Sequence, residues 1–145
     1  MIVCPPMRTS SRGRFVPLDN LIAHLSAKPS IGEEMDRLIR QVGSEELRRS
    51  IWMVHQPPSG LGLDICGDGR QVGSPTVREF IQSHQPRLGC SGHIHESPYQ
   101  PGGKWMARVG ATIWVQPGQV GPRLHYASVE IDRDGEITGV KHSVF

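Results

Sequence analysis

Three histidines stand where short apolar segments give way to loops, and their ring nitrogens are the side chains best placed for chemistry. His55 directly follows the apolar run Ile51–Val54. His93 and His95 flank Ile94, just behind the short segment Leu88–Ser91. Side chains two apart on an extended chain point the same way, so His93 and His95 are expected to share a site while Ile94 turns to the core. Gly92, before them, is expected to let the backbone approach closely. Imidazole ligates zinc, iron and manganese well, and a bound ion acts as a Lewis acid that brings its water toward neutral pKa. An H-x-H pair alone is a weak signature in a chain with 7 histidines. Taken alone, His55 is more readily a hydrogen-bonded histidine at a strand end than a ligand. Of the others, His84 precedes Pro86 at the end of a helical pattern, where the dipole favours a cation. His125 alternates with Leu124 and Tyr126 and is expected to face solvent, and His24 and His142 carry no signal.

The elements that must position these residues follow from periodicity and punctuation. Met1–Val3 reads as a strand tail cut off by Pro5-Pro6, Met7–Asp19 as a loop, and Leu21–Leu25 as a short helical turn. Ser30 with Glu33 forms a capping box, and Met35, Leu38, Ile39 and Val42 recur at helical spacing up to Gly43. Ser44, Glu45 and Glu46 open a second short helix holding Leu47. The continuous apolar run Ile51–Val54 predicts a strand buried on both faces. Ser59–Gly73 contains five glycines and is expected to be a long functional loop. Ser74 caps a helix with Pro75 at its first position and Val77, Phe80 and Ile81 on its inner face. Strands are expected over Leu88–Ser91, Val109–Val115, Leu124–Ile131 and Glu136–Val140, the last two joined at Asp134-Gly135. The order predicts a single α/β (α+β) domain over residues 1–145, with helices outside a sheet. Open sheets of this kind gather ligands at the carboxyl ends of their strands, where all three histidines lie.

Composition narrows the function classes. With 37% hydrophobic and 21% charged residues the chain has an ordinary globular make-up, and 17 glycines with 12 prolines make it rich in loops. The net charge of +2 is scattered, its longest local cluster being Arg48-Arg49. No basic stripe therefore speaks for nucleic acid. Three cysteines without C-x-x-C spacing argue against a disulfide scaffold or thiolate zinc site and for a reducing compartment. No apolar run is long enough for a membrane span, and no signal-peptide pattern follows Met1. The cytoplasm is the expected location.

Several spaced motifs then agree. Val54-His55-Gln56-Pro57-Pro58, Asp68-Gly69-Arg70-Gln71-Val72-Gly73-Ser74, Gly92-His93-Ile94-His95-Glu96-Ser97 and Gln116-Pro117-Gly118 occur in this order. Together they resemble the second half of the calcineurin-like metallophosphoesterases, whose histidine after a buried strand, G-H-x-H loop and N-P-G turn follow one another likewise. The resemblance runs from about Trp52 to Gly118. It implies a sandwich of two β-sheets flanked by helices, and hydrolysis of phosphate mono- or diesters. It also implies a divalent transition metal (Mn, Fe or Zn), dinuclear in the complete family site. His55 and His93 would ligate one ion and His95 the other, the two ions clamping a phosphoryl group.

The family's remaining ligands come from its first half, as D-x-H, G-D-x-x-D and G-N-H-[DE] motifs, and none occurs here. Gly67-Asp68-Gly69-Arg70-Gln71 begins like the second but lacks its closing aspartate, so Asp64 and Asp68 are taken as loop residues. The expectation is an incomplete phosphoesterase domain that binds metal weakly. Its partners would be a phosphoester substrate and either a second copy or a complementary N-terminal half. The rival expectation is a non-catalytic interaction module on the same scaffold.

Overall fold

A computed structural model of the chain describes residues 28–145; the strand expected at Met1–Val3 and the turn at Leu21–Leu25 lie outside them. Helix α1 (Ile31–Ile39) starts from the predicted capping box. The Ser30 hydroxyl accepts from Glu33 N–H at 3.2 Å, and Glu33 Oε2 accepts from Ser30 N–H at 2.7 Å. The helix ends earlier than the apolar spacing predicts. Gln41 and Val42 bond back by three residues, in the tighter 3₁₀ manner, and Leu38 stays exposed. Helix α2 (Ser44–Arg49) buries Leu47. Helix α3 (Pro75–His84) has Ser74 as its cap and buries Val77, Phe80 and Ile81, as its pattern predicts.

Four strands form one sheet: β1 (Ile51–Met53), β2 (Leu88–Cys90), β3 (Met106–Val109) and β4 (Thr112–Val115), in the order β1-β2-β4-β3. β1, β2 and β4 run parallel, and β3 returns antiparallel to β4. The single strand expected over Val109–Val115 is thus a hairpin turning at Gly110-Ala111. There α3 and the hairpin interlock. Gln85, left-handed at φ 50° after the helix end, accepts from Ala111 N–H at 2.8 Å through its side-chain oxygen. A Cβ at Gly110 would lie 2.1 Å from that same oxygen.

The sheet has two differently covered faces. Period two sends Trp114 and Ala107 toward the helices, where they join Met35, Leu47, Leu63, Val77, Phe80 and Ile81. Leu88, Ile113 and Val115 face the other way. They meet Ala127, Val129, Ile137 and Val140 of a second sheet, the antiparallel pair β5 (Ala127–Ile131) and β6 (Ile137–His142). Gly89, at the centre, leaves room for the Trp114 indole: a Cβ there would lie 2.0 Å from its ring.

One strand departs from expectation. β1 lies at the edge of the sheet, with Ile51 52% and Met53 87% exposed. Continuous apolarity predicts cover on both faces, but burial also requires a neighbour, and none covers this flank among the described residues. The architecture is mixed α/β: helices, a four-stranded sheet, then a two-stranded hairpin. No described helix is long and apolar enough to cross a membrane.

Candidate metal-binding site

The carboxyl ends of β1 and β2 bring the first two histidines together. The ladder continues past the strands: Val54 N–H donates to Cys90 C=O at 3.0 Å, and Gly92 N–H to His55 C=O at 3.1 Å. This zips the two exits side by side. His55 Nε2 and His93 Nδ1 then approach to 3.2 Å, with ring centroids 5.0 Å apart and planes at 73°. Both rings are exposed to solvent.

His93 occupies this position through an uncommon backbone. Its φ is +68°, and Ile94 N–H donates to Gly92 C=O at 2.8 Å, closing a three-residue γ-turn on the histidine. The positive-φ form of this turn is rare and strained, and β-carbon-bearing residues seldom adopt it. The segment is therefore not extended, and the period-two argument for His93 and His95 does not describe it, although Ile94 is buried as expected. Nor is Gly92 required by space, since a Cβ there would meet the His55 ring at an ordinary 3.7 Å. The unusual conformation falls one residue later.

A partly buried network holds the turn. Trp114 Nε1–H donates to the Ser91 hydroxyl at 3.1 Å, which donates to Gln116 Oε1 at 3.1 Å. Gln116 Nε2–H then donates to Ile94 C=O at 2.7 Å. Gln116 is fully buried and its bond to Ile94 is shielded from water, while the two bonds through Ser91 are partly exposed. The Q-P-G turn continues the support: Gln119 N–H donates to His95 C=O at 2.8 Å, and a Cβ at Gly118 (φ 67°) would lie 2.6 Å from that oxygen. The sequence marks Gln116 only as part of the Q-P-G motif and does not disclose its bonds to Ser91 and Ile94. A polar residue directly behind each of two buried strand segments was the available signal.

His95 is exposed, and among the described residues no group of three or more His, Cys, Asp and Glu side chains is disposed to hold a metal ion. The structure thus joins His55 to His93 and leaves His95 outside that contact. Glu96, next along, accepts from Gly67 N–H at 3.0 Å and pins the long glycine loop. Asp64 is fully buried and spans that loop, its Oδ2 accepting from Gly60 N–H at 3.1 Å and Gly73 N–H at 3.2 Å. Asp68 is exposed and pairs with Arg70 at 2.6 Å. Hydrogen bonds from the Arg70 backbone and guanidinium hold its carboxyl below the usual aspartate range. Burial, and then the charges of Glu96 and Asp68, push the Cys66 thiol up.

The later histidines are structural. His125 lies before β5, not in a strand, and is half-buried against Tyr99. Burial raises the pKa of the Tyr99 phenol, whose hydroxyl is hydrogen-bonded to His125 Nδ1. The expectation of a solvent-facing His125 is corrected. His142 is buried; its Nε2–H donates to Pro117 C=O at 2.8 Å and its Nδ1 accepts from Val144 N–H at 3.0 Å. His84 ends α3, as its place before Pro86 predicts.

The donor pair fits an ion. Imidazole nitrogens bound to one zinc at about 2.1 Å would stand 3.2 Å apart at a bite angle of about 100°, close to the tetrahedral value. The same separation also suits one imidazole N–H donating to the other ring. No protein-family model matches this chain, and no curated protein or solved structure matches it either.

Proposed function

We propose that the chain is a metal-dependent phosphoesterase domain, hydrolysing phosphate mono- or diesters, that carries the histidine half of the metal site. The single observation behind this reading is the 3.2 Å approach of His55 Nε2 and His93 Nδ1 at adjoining strand ends. In this reading the pair holds one divalent Mn, Fe or Zn ion, and His95 would serve a second ion only in the complete dinuclear site that the family resemblance implies. A bound ion supplies Lewis acidity to a phosphoryl oxygen and lowers the pKa of water. The chain's own contribution is positional: the γ-turn and the Gln116–Ile94 bond fix where the His93 ring sits. The four-stranded sheet with its covering hairpin supports a partial metallophosphoesterase-type sandwich. The flank of β1, uncovered among the described residues, supports pairing with a second copy or a complementary N-terminal half. The thiols of Cys66 and Cys90, free among the described residues, suit the cytoplasm.

A second reading, a non-catalytic interaction module on this scaffold, is favoured by the lack of a carboxylate beside the pair among the described residues. Two neutral imidazoles hold a dication without compensating charge, so weak, substoichiometric binding is expected. Calorimetric titration with zinc separates the readings, with His55→Ala and His93→Ala as variants and an aryl phosphate as generic substrate. The metalloenzyme reading expects metal binding that either variant abolishes, with slow metal-dependent turnover. Equal zinc affinity in wild type and both variants would remove His55 and His93 from the site. Binding without any turnover would favour the interaction module.

A further inference from the structure

The opposite end of the same sheet carries a feature that the linear sequence disperses. Arg48 and Arg49 lie just before β1, Arg87 just before β2, Arg108 near the end of β3, and Arg133 in the β5–β6 turn. The fold draws these five arginines around one cleft of about 810 Å³, floored by Ala111, Ile113 and Ile137. Because β1, β2 and β4 are parallel, it lies at their amino ends. A strand of three residues, roughly 10 Å of chain, separates that end from the histidine end.

The cleft is braced. Arg87, its side chain 20% exposed, pairs with Glu136 at 2.5 Å and donates to the Gly135 carbonyl. Asp132 Oδ1 accepts from Asp134 N–H at 3.0 Å and Glu136 N–H at 2.8 Å, which fixes the turn bearing Arg133. Arg48 has Glu45 at 3.8 Å. Arg49, Arg108 and Arg133 are exposed and make no ion pair among the described residues. The carboxylates lining the cleft are Glu45, Asp134 and Glu136, so an excess of two positive charges remains. The first 27 residues of the sequence themselves have a positive balance, one acidic residue, Asp19, against Arg8, Arg12 and Arg14.

We infer that this cleft binds a small ligand bearing two or more phosphate groups. Guanidinium forks match phosphate oxygens in pairs, and the volume is that of a small-molecule site, for which roughly 300–1,000 Å³ is usual. A surface that tracks a nucleic-acid backbone commonly engages on the order of six to ten phosphates, and three unpaired arginines interrupted by carboxylates do not supply that. An excess of two charges suits a compact di- or triphosphate.

The test is calorimetric titration of the full chain with tripolyphosphate, with EDTA present and in a His55→Ala background, so that the histidine pair plays no part. One site is expected. Arg108→Ala and Arg133→Ala should each weaken it by about tenfold or more, the order expected for a lost charge-assisted contact. Arg108→Lys should restore only part of the loss, because it keeps the charge without the fork. Arg40→Ala, which removes an equal charge outside the cleft, should change nothing. Circular dichroism and the thermal midpoint establish that each variant is folded. The proposal is overturned if wild-type chain shows no saturable binding, or if Arg40→Ala weakens binding as much as the cleft variants. It is equally overturned if a single-stranded oligonucleotide displaces tripolyphosphate at lower phosphate concentration, which would make the cleft part of a nucleic-acid surface.

Discussion

β1 and β4 are built from similar residues, Ile-Trp-Met and Thr-Ile-Trp-Val, yet they live in different surroundings. β4 lies inside the sheet, with every residue buried and Trp114 fully so. β1 lies at the edge, and two of its three residues are exposed. Apolarity therefore states what a strand can tolerate, while topology decides what it receives. The difference extends to the site. The histidine contact joins one segment leaving the edge strand, anchored two residues on by the buried Pro57 and Pro58, to one leaving a strand within the sheet, anchored by the buried Gln116.

The largest expected effect comes from filling the space that the central strands share. Gly89→Ala places a Cβ within the Trp114 ring, so it should destabilise the chain by about 3 kcal/mol, the upper end of ordinary overpacking, in a urea titration. A loss below about 1 kcal/mol, the low end of that range, would mean that the centre repacks easily and is less distinct from the edge than described. Next comes Gln116→Leu, which keeps volume but strands the Ile94 carbonyl. A loss of about 1–3 kcal/mol is expected for an orphaned buried acceptor, and the His93 ring resonances should broaden or shift in NMR spectra. A stable variant with unchanged His93 resonances would show that the γ-turn holds itself. The smallest effect is expected at the edge. Met53→Ser should change stability by less than about 0.5 kcal/mol, as open surface substitutions do. A loss above about 1 kcal/mol, beyond that surface range, would reveal that something covers this flank and would sharpen the case for a pairing partner.

Local rules made much of this legible. The capping box at Ser30 and Glu33, Ser74 and Pro75 opening α3, and the Asp134-Gly135 turn each depend on a few neighbouring residues, and each forms as its chemistry predicts. The meeting of His55 and His93 was legible too, because both follow apolar strand segments whose ends a sheet must align. What escaped depends on contacts far apart in sequence. Nothing near Ile51 announces that it will sit at an edge, and nothing near His93 announces the bond from Gln116 that fixes its turn. The period-two inference for His95 failed as geometry because it assumed an extended backbone where a γ-turn intervenes. The arginine cleft escaped for the same reason, since its members come from separate elements and never cluster along the chain.

The junction of α3 with the β3–β4 hairpin constrains the chain's descent as well as its stability. Gln85 caps its helix with a left-handed backbone, and its side-chain oxygen serves the hairpin amide from the place a Cβ at residue 110 would take. A side chain at 110 has to bear a left-handed φ of 58° as well as displace the Gln85 oxygen, so glycine is held there on two counts. A shortened residue 85 leaves the Ala111 amide to find water. Among descendants of this sequence the two positions should be kept as a pair, leaving a conservation signal that no catalytic requirement imposes.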